Sequence, residues 1–199
     1  MTAETPAHTE EHHTSTGLSN EKLAMWVFLG SECLLFGGLI STYMFNKGRI
    51  ARGPGPEDVF DIPFTSVSSF VLLMSSLTMV FAVSSIARGD LRGNRIWLAT
   101  TAALGATFVA GQVYEFTAFY SEGLGFTTNL FGSAFYALTG FHGAHVTIGI
   151  IMLMSLFVMS LRGNLGPERA ETVEIIGLYW HFVDIVWIVI FTIVYLFPQ

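Results

Sequence analysis

The sequence predicts an all-α integral membrane protein, a bundle of five transmembrane helices, and three observations support this fold class. Apolar residue types make up 52% of the 199 residues. Charged types make up only 12%, and the mean hydropathy is +0.57, whereas about 25% of the residues in a typical soluble domain are charged. Five apolar runs are each long enough to cross a hydrocarbon core of about 30 Å, which takes roughly 20 helical residues.

Each run is predicted to form one helix, and short loops rich in Gly, Pro and charge separate the runs. The five spans are placed at residues 23–45, 65–87, 96–120, 130–160 and 175–197. The first run follows a long polar segment and lacks a small-residue cleavage site, so it is predicted to stay as a helix and not to act as a signal peptide. Residues 1–22 are polar and aperiodic, which predicts a disordered tail before a membrane domain at 23–199.

The distribution of basic residues predicts the orientation of the bundle. Six of the nine Lys and Arg residues fall on the side of the N-terminal tail: Lys22, Arg88, Arg92, Arg95, Arg162 and Arg169. By the positive-inside rule, the N-terminus is expected in the cytoplasm and the C-terminus on the opposite side. The net charge of −6 comes largely from carboxylates in the tail and loops. This negative net charge argues against a nucleic-acid partner, which would need a cluster of basic residues.

Several polar side chains fall inside the predicted spans, where an isolated charge is costly. Glu32 lies about 13 Å into the first span at 1.5 Å per residue, so we expect a neutral or hydrogen-bonded carboxyl that faces protein or water. The other polar side chains are Gln112, Glu115, His142, His145, Glu174, His181 and Asp184. Gln112 and Glu115 are one helical turn apart. Because they are accompanied by small residues, all are predicted to point into the bundle.

The last span carries three of these polar residues on one predicted stripe. Glu174, His181 and Asp184 have spacings that place them on one helical face, with Trp180 and Trp187 beside it. Small residues expected to permit close helix approach are Gly37, Gly38, Ala102, Ala106, Ala110, Gly140, Gly143 and Gly149. Together these features predict a continuous polar seam between closely packed helices.

The histidines leave a metal or haem site, a proton path and polar packing open as roles. A di-iron bundle needs Glu-x-x-His pairs on its helices, and the five predicted spans contain none. His142 and His145 could converge with His181 and Asp184 on one ion, and histidines on different helices could clamp a haem. Hydrogen bonds between helices satisfy such pairs equally well. On the residues alone, structural or proton-handling roles are favoured over metal binding.

Four segments resemble one known family. "GSAFYALTGFHGAHVTIG" and "GLYWHFVDIVWIVIFTIVYLF" resemble the last two helices of subunit III of the haem-copper terminal oxidases, the cytochrome c oxidase subunit 3 family. "FLGSECLLFGGLISTY" and "GQVYEF" resemble its first common helix and the helix that carries its Gln-x-x-Glu. The order is the same, nearly everything after Leu23 is covered, and the layout is similar to the five-helix form of the family.

The resemblance implies an accessory subunit with no catalytic and no metal-binding residue of its own. Such a chain packs directly against subunit I, alongside subunit II and other subunits, in a bacterial plasma membrane. The complex holds haem and copper in the partner subunits, reduces oxygen to water and pumps protons. The implied role is to stabilise subunit I, to retain bound phospholipid and to support proton uptake.

The resemblance also implies roles for particular residues. His142 and His145 are then expected to form hydrogen bonds between helices, with Glu174, His181 and Asp184 completing the same polar seam. The family carboxylate that matches Glu32 is associated with lipid and with carbodiimide modification. The family's basic residue after the fourth common helix falls here at Met159, which leaves Arg162, one turn later, as the expected lipid-headgroup residue.

Two alternatives stay open at this point. "GFHGAHV", "GQVYEF" and "YWHFVD" resemble the cytochrome c branch of the family, whereas "GPEDVFDIPF" and the five-helix layout also resemble the quinol-oxidising branch. A free-standing membrane bundle that itself binds haem or metal is the alternative from a different class of protein.

Overall fold

The computed structural model describes residues 17–47 and 60–197, and the regular structure in these ranges is all helical. The five long helices are α1 Asn20–Asn46, α2 Ile62–Ala87, α3 Leu91–Ser121, α4 Leu130–Leu161 and α5 Ala170–Phe191. A 3-10 turn, Pro167–Arg169, precedes α5, and a π-helical segment, Thr192–Leu196, continues it. All five are long and apolar enough to cross a membrane, which confirms the predicted fold class.

Capping side chains explain why the first three helices begin earlier than the predicted spans. Ser19, Asp61, Asp90 and Asn129 each accept a hydrogen bond from a backbone N–H in the first turn of a helix. A cap satisfies an N–H that has no partner within the helix, so the helix extends beyond its apolar stretch. Helix α1 therefore takes in residues 20–22, which were predicted to belong to the disordered tail. Residues 1–16 of that tail lie outside the described residues, as do Arg49 and Arg52 of the first loop.

The helices pack in an arrangement that leaves α1 at the periphery. Helix α2 packs along α3, α3 along α4, and α5 against both α2 and α4, whereas α1 contacts chiefly α4 and α5. Only Leu29, Phe36 and Tyr43 of α1 are buried, and their seven-residue spacing marks a single narrow stripe. Large side chains such as Val27 and Leu34 point away from the bundle. Helix α1 is therefore held along one line of contact.

Trp180 packs against glycines of two other helices. Its indole occupies space left by two glycines, because a Cβ at Gly149 of α4 would lie 2.8 Å from Cε3 and one at Gly105 of α3 would lie 2.9 Å from Cζ2. The indole Nε1 donates a 3.0 Å hydrogen bond to Ser75 Oγ of α2. One side chain of α5 thus contacts three other helices.

The other small residues behave differently from one another. Gln112 lies against Gly143, so this glycine does permit a close approach. A Cβ at Gly37, Gly38 or Gly140 would meet no atom within 4 Å. Ala102 is buried, whereas Ala106 and Ala110 are exposed. Close approach through small residues was therefore predicted correctly for Gly143 and Gly149 and wrongly for Gly37, Gly38 and Gly140 within this chain.

An aromatic layer closes the end of the bundle near the C-terminus. The ring centroid of Phe60, just before α2, lies 5.6 Å from that of Phe119, 5.2 Å from Phe135 and 4.7 Å from Tyr195. Tilted and edge-on pairs at such separations are favourable beyond the area that they bury. The layer joins α3, α4 and the segment after α5 at one level.

Candidate functional site

The predicted polar residues lie in separate contacts between helices and not in one continuous seam. Glu32 pairs with His145, Gln112 contacts α4, Glu115 contacts α2, and His181 contacts α2. Among the described residues His142 has no hydrogen-bond partner, and Glu174 forms an ion pair at the end of the bundle. The expectation of a single seam was therefore wrong. Each of these residues nevertheless lies at least partly against another helix or inside the bundle.

Glu32 of α1 and His145 of α4 form a hydrogen-bonded pair within the membrane span. The distance from Glu32 Oε2 to His145 Nε2 is 3.0 Å, and the two side chains are only 14% and 12% exposed. His145 Nδ1 lies 2.7 Å from the carbonyl oxygen of Phe141. Tyr179 of α5 donates to the carbonyl of His145, and the ring of Phe36 packs edge-on against the imidazole. The pair joins α1 to the bundle.

The hydrogen bonds of His145 define how many protons the pair carries. A carbonyl oxygen only accepts, so Nδ1 must carry the hydrogen that it shares with Phe141. Nε2 then binds Glu32 either as an acceptor from a neutral carboxylic acid or as a donor from an imidazolium to a carboxylate. One proton lies between the two side chains in both cases, and their summed charge is zero. A neutral pair is what a region of low dielectric constant favours.

His142 does not form the hydrogen bond between helices that was expected of it. It is fully buried, and neither ring nitrogen has a partner in the described chain. Its imidazole stacks on Trp187 with centroids 4.8 Å apart, and Phe108 lies edge-on at 5.8 Å. Aromatic faces are only weak acceptors for an N–H. His142 is therefore a packing residue of an aromatic cluster.

A second polar group joins α5 to α2. Ser76 Oγ lies 2.6 Å from His181 Nδ1. Asp184, three residues further along α5, is buried, and its Oδ1 has no partner among the described residues. His181 is therefore joined to α2 through one serine, and no hydrogen bond among the described residues links His181 or Asp184 to Glu32 or His145.

Sequence reasoning missed the serines of α2. Trp187 Nε1 donates to Ser69 Oγ at 2.8 Å, and Trp180 Nε1 donates to Ser75 Oγ. A buried indole N–H usually finds an acceptor. Ser69 and Ser75 are six residues apart and Trp180 and Trp187 are seven apart, so the two pairs have nearly the same spacing along their helices. This near-equal spacing was the signal that could have predicted an antiparallel contact of α2 with α5.

Gln112 and Glu115 share one face of α3 but contact different neighbours. Gln112 Nε2 donates to the carbonyl of Thr139 on α4 at 2.9 Å. Glu115 accepts a hydrogen bond from the hydroxyl of Thr65 on α2. Gln112 is 6% exposed and Glu115 is 5% exposed. The two residues thus connect α3 to the helices on both of its sides.

Glu174 belongs to the end of the bundle and not to the stripe of His181 and Asp184. Its Oε1 lies 2.7 Å from Nζ of Lys22, and its side chain is 45% exposed. Ser19 donates to Glu171 one turn away, so the first turns of α1 and α5 are joined twice. A half-exposed ion pair of this kind contributes about 0–1 kcal/mol.

Arg162 lies at the same end of the bundle and is exposed. It ends a surface groove along α4 whose other lining is mainly apolar and includes Ile151, Met154 and Val158. Within residues 17–47 and 60–197, no three His, Cys, Asp or Glu residues lie close enough to share a metal ion.

Comparison with known proteins gives consistent matches along the chain. Residues 3–199 match the family model of cytochrome c oxidase subunit III. The chain is 40% identical to cytochrome c oxidase subunit 3 of Bacillus sp. (strain PS3), over 98% of this chain and 95% of the relative. It is 41% identical to quinol oxidase subunit 3 of Bacillus subtilis (strain 168), over 94% and 91%. The cytochrome bo(3) ubiquinol oxidase subunit 3 of Pseudomonas putida is 38% identical, over 87% and 84%.

Proposed function

The chain belongs to the cytochrome c oxidase subunit III family, and we propose on this basis that it is an accessory, non-redox subunit of a proton-pumping terminal oxidase. The observation that carries the proposal is that polar side chains within the spans form contacts between helices. Glu32, His145, Glu115 and Gln112 all take part in contacts between helices. Such contacts stabilise a bundle and require no redox chemistry in it.

The other subunits of the complex carry the redox part of the proposed activity. Haem and copper belong to partner subunits in this proposal, and the chain contacts subunit I directly, with subunit II and other subunits nearby. The complex reduces oxygen to water in a bacterial plasma membrane. The N-terminus faces the cytoplasm, where six of the nine Lys and Arg residues then lie. The chain stabilises subunit I and supports proton uptake from that side.

Retention of phospholipid is a further part of the proposal. Arg162 is exposed beside an apolar groove on α4, a combination that suits an anionic headgroup and an acyl chain. Glu32 is the second residue proposed to contact lipid, because its side chain keeps a 14% exposed fraction at the junction of α1 and α4. In native mass spectra of the purified complex, Arg162→Ala should lower the amount of bound anionic lipid. Arg92→Ala, at another exposed arginine on the same side, is the matched control and should leave it unchanged.

Cytochrome c is proposed as the electron donor, and a quinol is the second candidate. The quinol is a candidate because the quinol oxidase relative is as similar to this chain as the cytochrome c oxidase relative, at 41% and 40% identity. Oxygen consumption by the purified complex with reduced cytochrome c and with a quinol, each in turn, separates the two donors.

Removal of the chain from the complex tests the accessory role. Subunit I should keep its haem and its initial rate of oxygen reduction, because the redox centres lie elsewhere. Activity should then decline over successive turnovers, since lost helix contacts expose apolar surface and proton supply slows. Immediate and complete loss of activity, with subunit I folded and fully loaded with haem, would contradict the proposal. A stoichiometric Soret band in the isolated chain would instead support a free-standing haem-binding bundle.

A further inference from the structure

His181 differs from the other ionisable side chains in the middle of the described spans. Glu32 and His145 satisfy each other, and Glu115 is buried against Thr65. His142 and Asp184 are also buried. His181 is partly exposed, and among the described residues only Ser76 bonds it, through Nδ1. Its Nε2 has no partner within the described chain.

The exposed edge of His181 lies on the surface that would face hydrocarbon. Ile185 and Ile188 follow it on the same stripe of α5 and are 59% and 43% exposed. Across the groove, Phe70, Leu73 and Leu77 of α2 are 60%, 38% and 47% exposed. We call these five residues with His181 the α2/α5 face. His181 lies about 16 Å along α5 from Ala170, at 1.5 Å per residue, which is close to the middle of a core of about 30 Å.

Other polar side chains that face outward from the spans satisfy themselves. Ser31, Thr42, Thr107 and Thr147 each donate to a backbone carbonyl of their own helix. A hydroxyl that bonds back in this way tolerates lipid. The Nε2 atom of His181 lies further from the backbone than a serine or threonine hydroxyl does. While Ser76 holds Nδ1, Nε2 cannot bond a carbonyl of its own helix in the same manner. Acyl chains offer His181 no hydrogen bond at this depth.

The hydrogen bonds inside the chain indicate what Nε2 requires. A neutral imidazole carries its hydrogen on one ring nitrogen and a lone pair on the other. Ser76 can donate to Nδ1 or accept from it. Nε2 then requires an acceptor when Ser76 donates, and a donor when Nδ1 carries the hydrogen. The missing partner of His181 is in either case a polar group that hydrogen-bonds Nε2.

We propose that the α2/α5 face docks a transmembrane helix of a neighbouring oxidase subunit, and that this helix presents a polar side chain that hydrogen-bonds His181 Nε2. This inference rests on the proposed function, because it requires the chain to be one subunit of a membrane complex. Partly exposed polar residues in a span are expected to face protein, and a polar contact between helices adds specificity to apolar packing. An acyl chain is the competing occupant of the face.

Photo-crosslinking in the assembled oxidase tests the location of the contact. A photo-reactive amino acid replaces Phe70 or Ile185 on the α2/α5 face, and Val113 or Ile151 on the outer surface of α3 and α4 as controls. The exposed fractions are matched, at 60% and 59% for the first pair and 60% for both controls. Cross-links from Phe70 or Ile185 to another oxidase subunit are expected. Cross-links from these two positions to lipid alone would overturn the proposal.

Substitution of His181 tests the hydrogen bond to the neighbouring helix. In a titration with a detergent that strips subunits, His181→Leu should weaken retention of the chain about threefold, the size of a typical hydrogen bond between membrane helices. His181→Gln should retain wild-type behaviour, because its amide group can both accept and donate. Ser76→Ala removes only the bond inside the chain and should have the smaller effect. Equal losses for His181→Leu and Ser76→Ala, or the same loss for Leu and Gln at position 181, would overturn the role of this hydrogen bond.

The outcomes separate this inference from the function on which it rests. If the chain purifies with no oxidase subunit at all, the proposed function fails. If the chain copurifies with oxidase subunits and Phe70 and Ile185 still label only lipid, the docking face alone is wrong.

Discussion

Substitution of Gly149 by alanine is expected to destabilise the bundle because of the position of Trp180. The added Cβ would lie 2.8 Å from Cε3 and Cζ3 of the indole and 3.3 Å from Cε1 of Tyr179. Carbon atoms in favourable contact are about 3.5–4.0 Å apart, so the indole would have to move by roughly 0.7 Å. Gly105 on the opposite side and the hydrogen bond to Ser75 restrict that movement.

The magnitude of the effect follows from two opposing contributions. Overpacking of a well-packed core typically costs about 1–3 kcal/mol. Replacement of glycine by alanine within a helix contributes about 1 kcal/mol of stability in the other direction. Gly140→Ala on the same helix isolates the second contribution, because a Cβ there meets no atom within 4 Å. The difference between the two variants should therefore be about 1–3 kcal/mol.

The assay is thermal dissociation of the chain from the purified complex in mild detergent. For a protein of this size a change of 1 kcal/mol corresponds to about 2–4 °C, so Gly149→Ala should dissociate several degrees below Gly140→Ala. In a Trp180→Phe background the penalty should shrink, since the atoms that clash are removed. Equal midpoints for the two alanine variants would refute the packing argument.

Three further outcomes are expected from other contacts. Trp187→Phe removes one hydrogen bond between α5 and α2 and should lower the same midpoint by an amount equivalent to about 1 kcal/mol. His142→Phe replaces an unpartnered buried imidazole by an apolar ring and should leave the midpoint unchanged within about 1 kcal/mol; a large loss would reveal a partner for His142. A hydrophobic carbodiimide should label Glu32 in preference to the loop carboxylates Glu122 and Glu168, and Glu32→Gln should assemble normally but lose the label. Preferential labelling of the loops would contradict the protected position of Glu32.

The helices were predictable because a span of hydrocarbon imposes a length and a composition on each of them. The start of α4 at Leu130 was predicted correctly, whereas α1, α2 and α3 begin earlier than predicted, because polar capping residues such as Ser19 and Asp90 precede the apolar runs. A capped helix continues through the interfacial region, where polar residues are no longer costly. Apolar runs therefore define the crossing portion of a helix and capping motifs define its end.

Sequence spacing identified which polar residues face other helices but not the partner that each one contacts. His142 and His145 are three residues apart, yet one lies in an aromatic cluster and the other bonds Glu32. Gln112 and Glu115 diverge in the same way toward α4 and α2. Residues one turn apart differ in direction by tens of degrees. In a tight bundle this difference selects a different neighbour, and only the packing of all five helices decides which.

The position of Glu32 on α1 has a physical reason that requires no redox role. Only 11% of the most apolar window of α1 is buried, against 44% for the last span. Because lipid is as apolar as a leucine side chain, burial of apolar residues alone gives α1 little preference for the bundle over the bilayer. Helix α1 instead has polar contacts at three levels: Lys22 with Glu174 near its start, Glu32 with His145 within the span, and Lys47 just past its end with the carbonyl of Phe197. A neutral hydrogen-bonded pair in a site of low dielectric constant favours one register of α1, since a shift by a single residue would break the bond between Glu32 and His145.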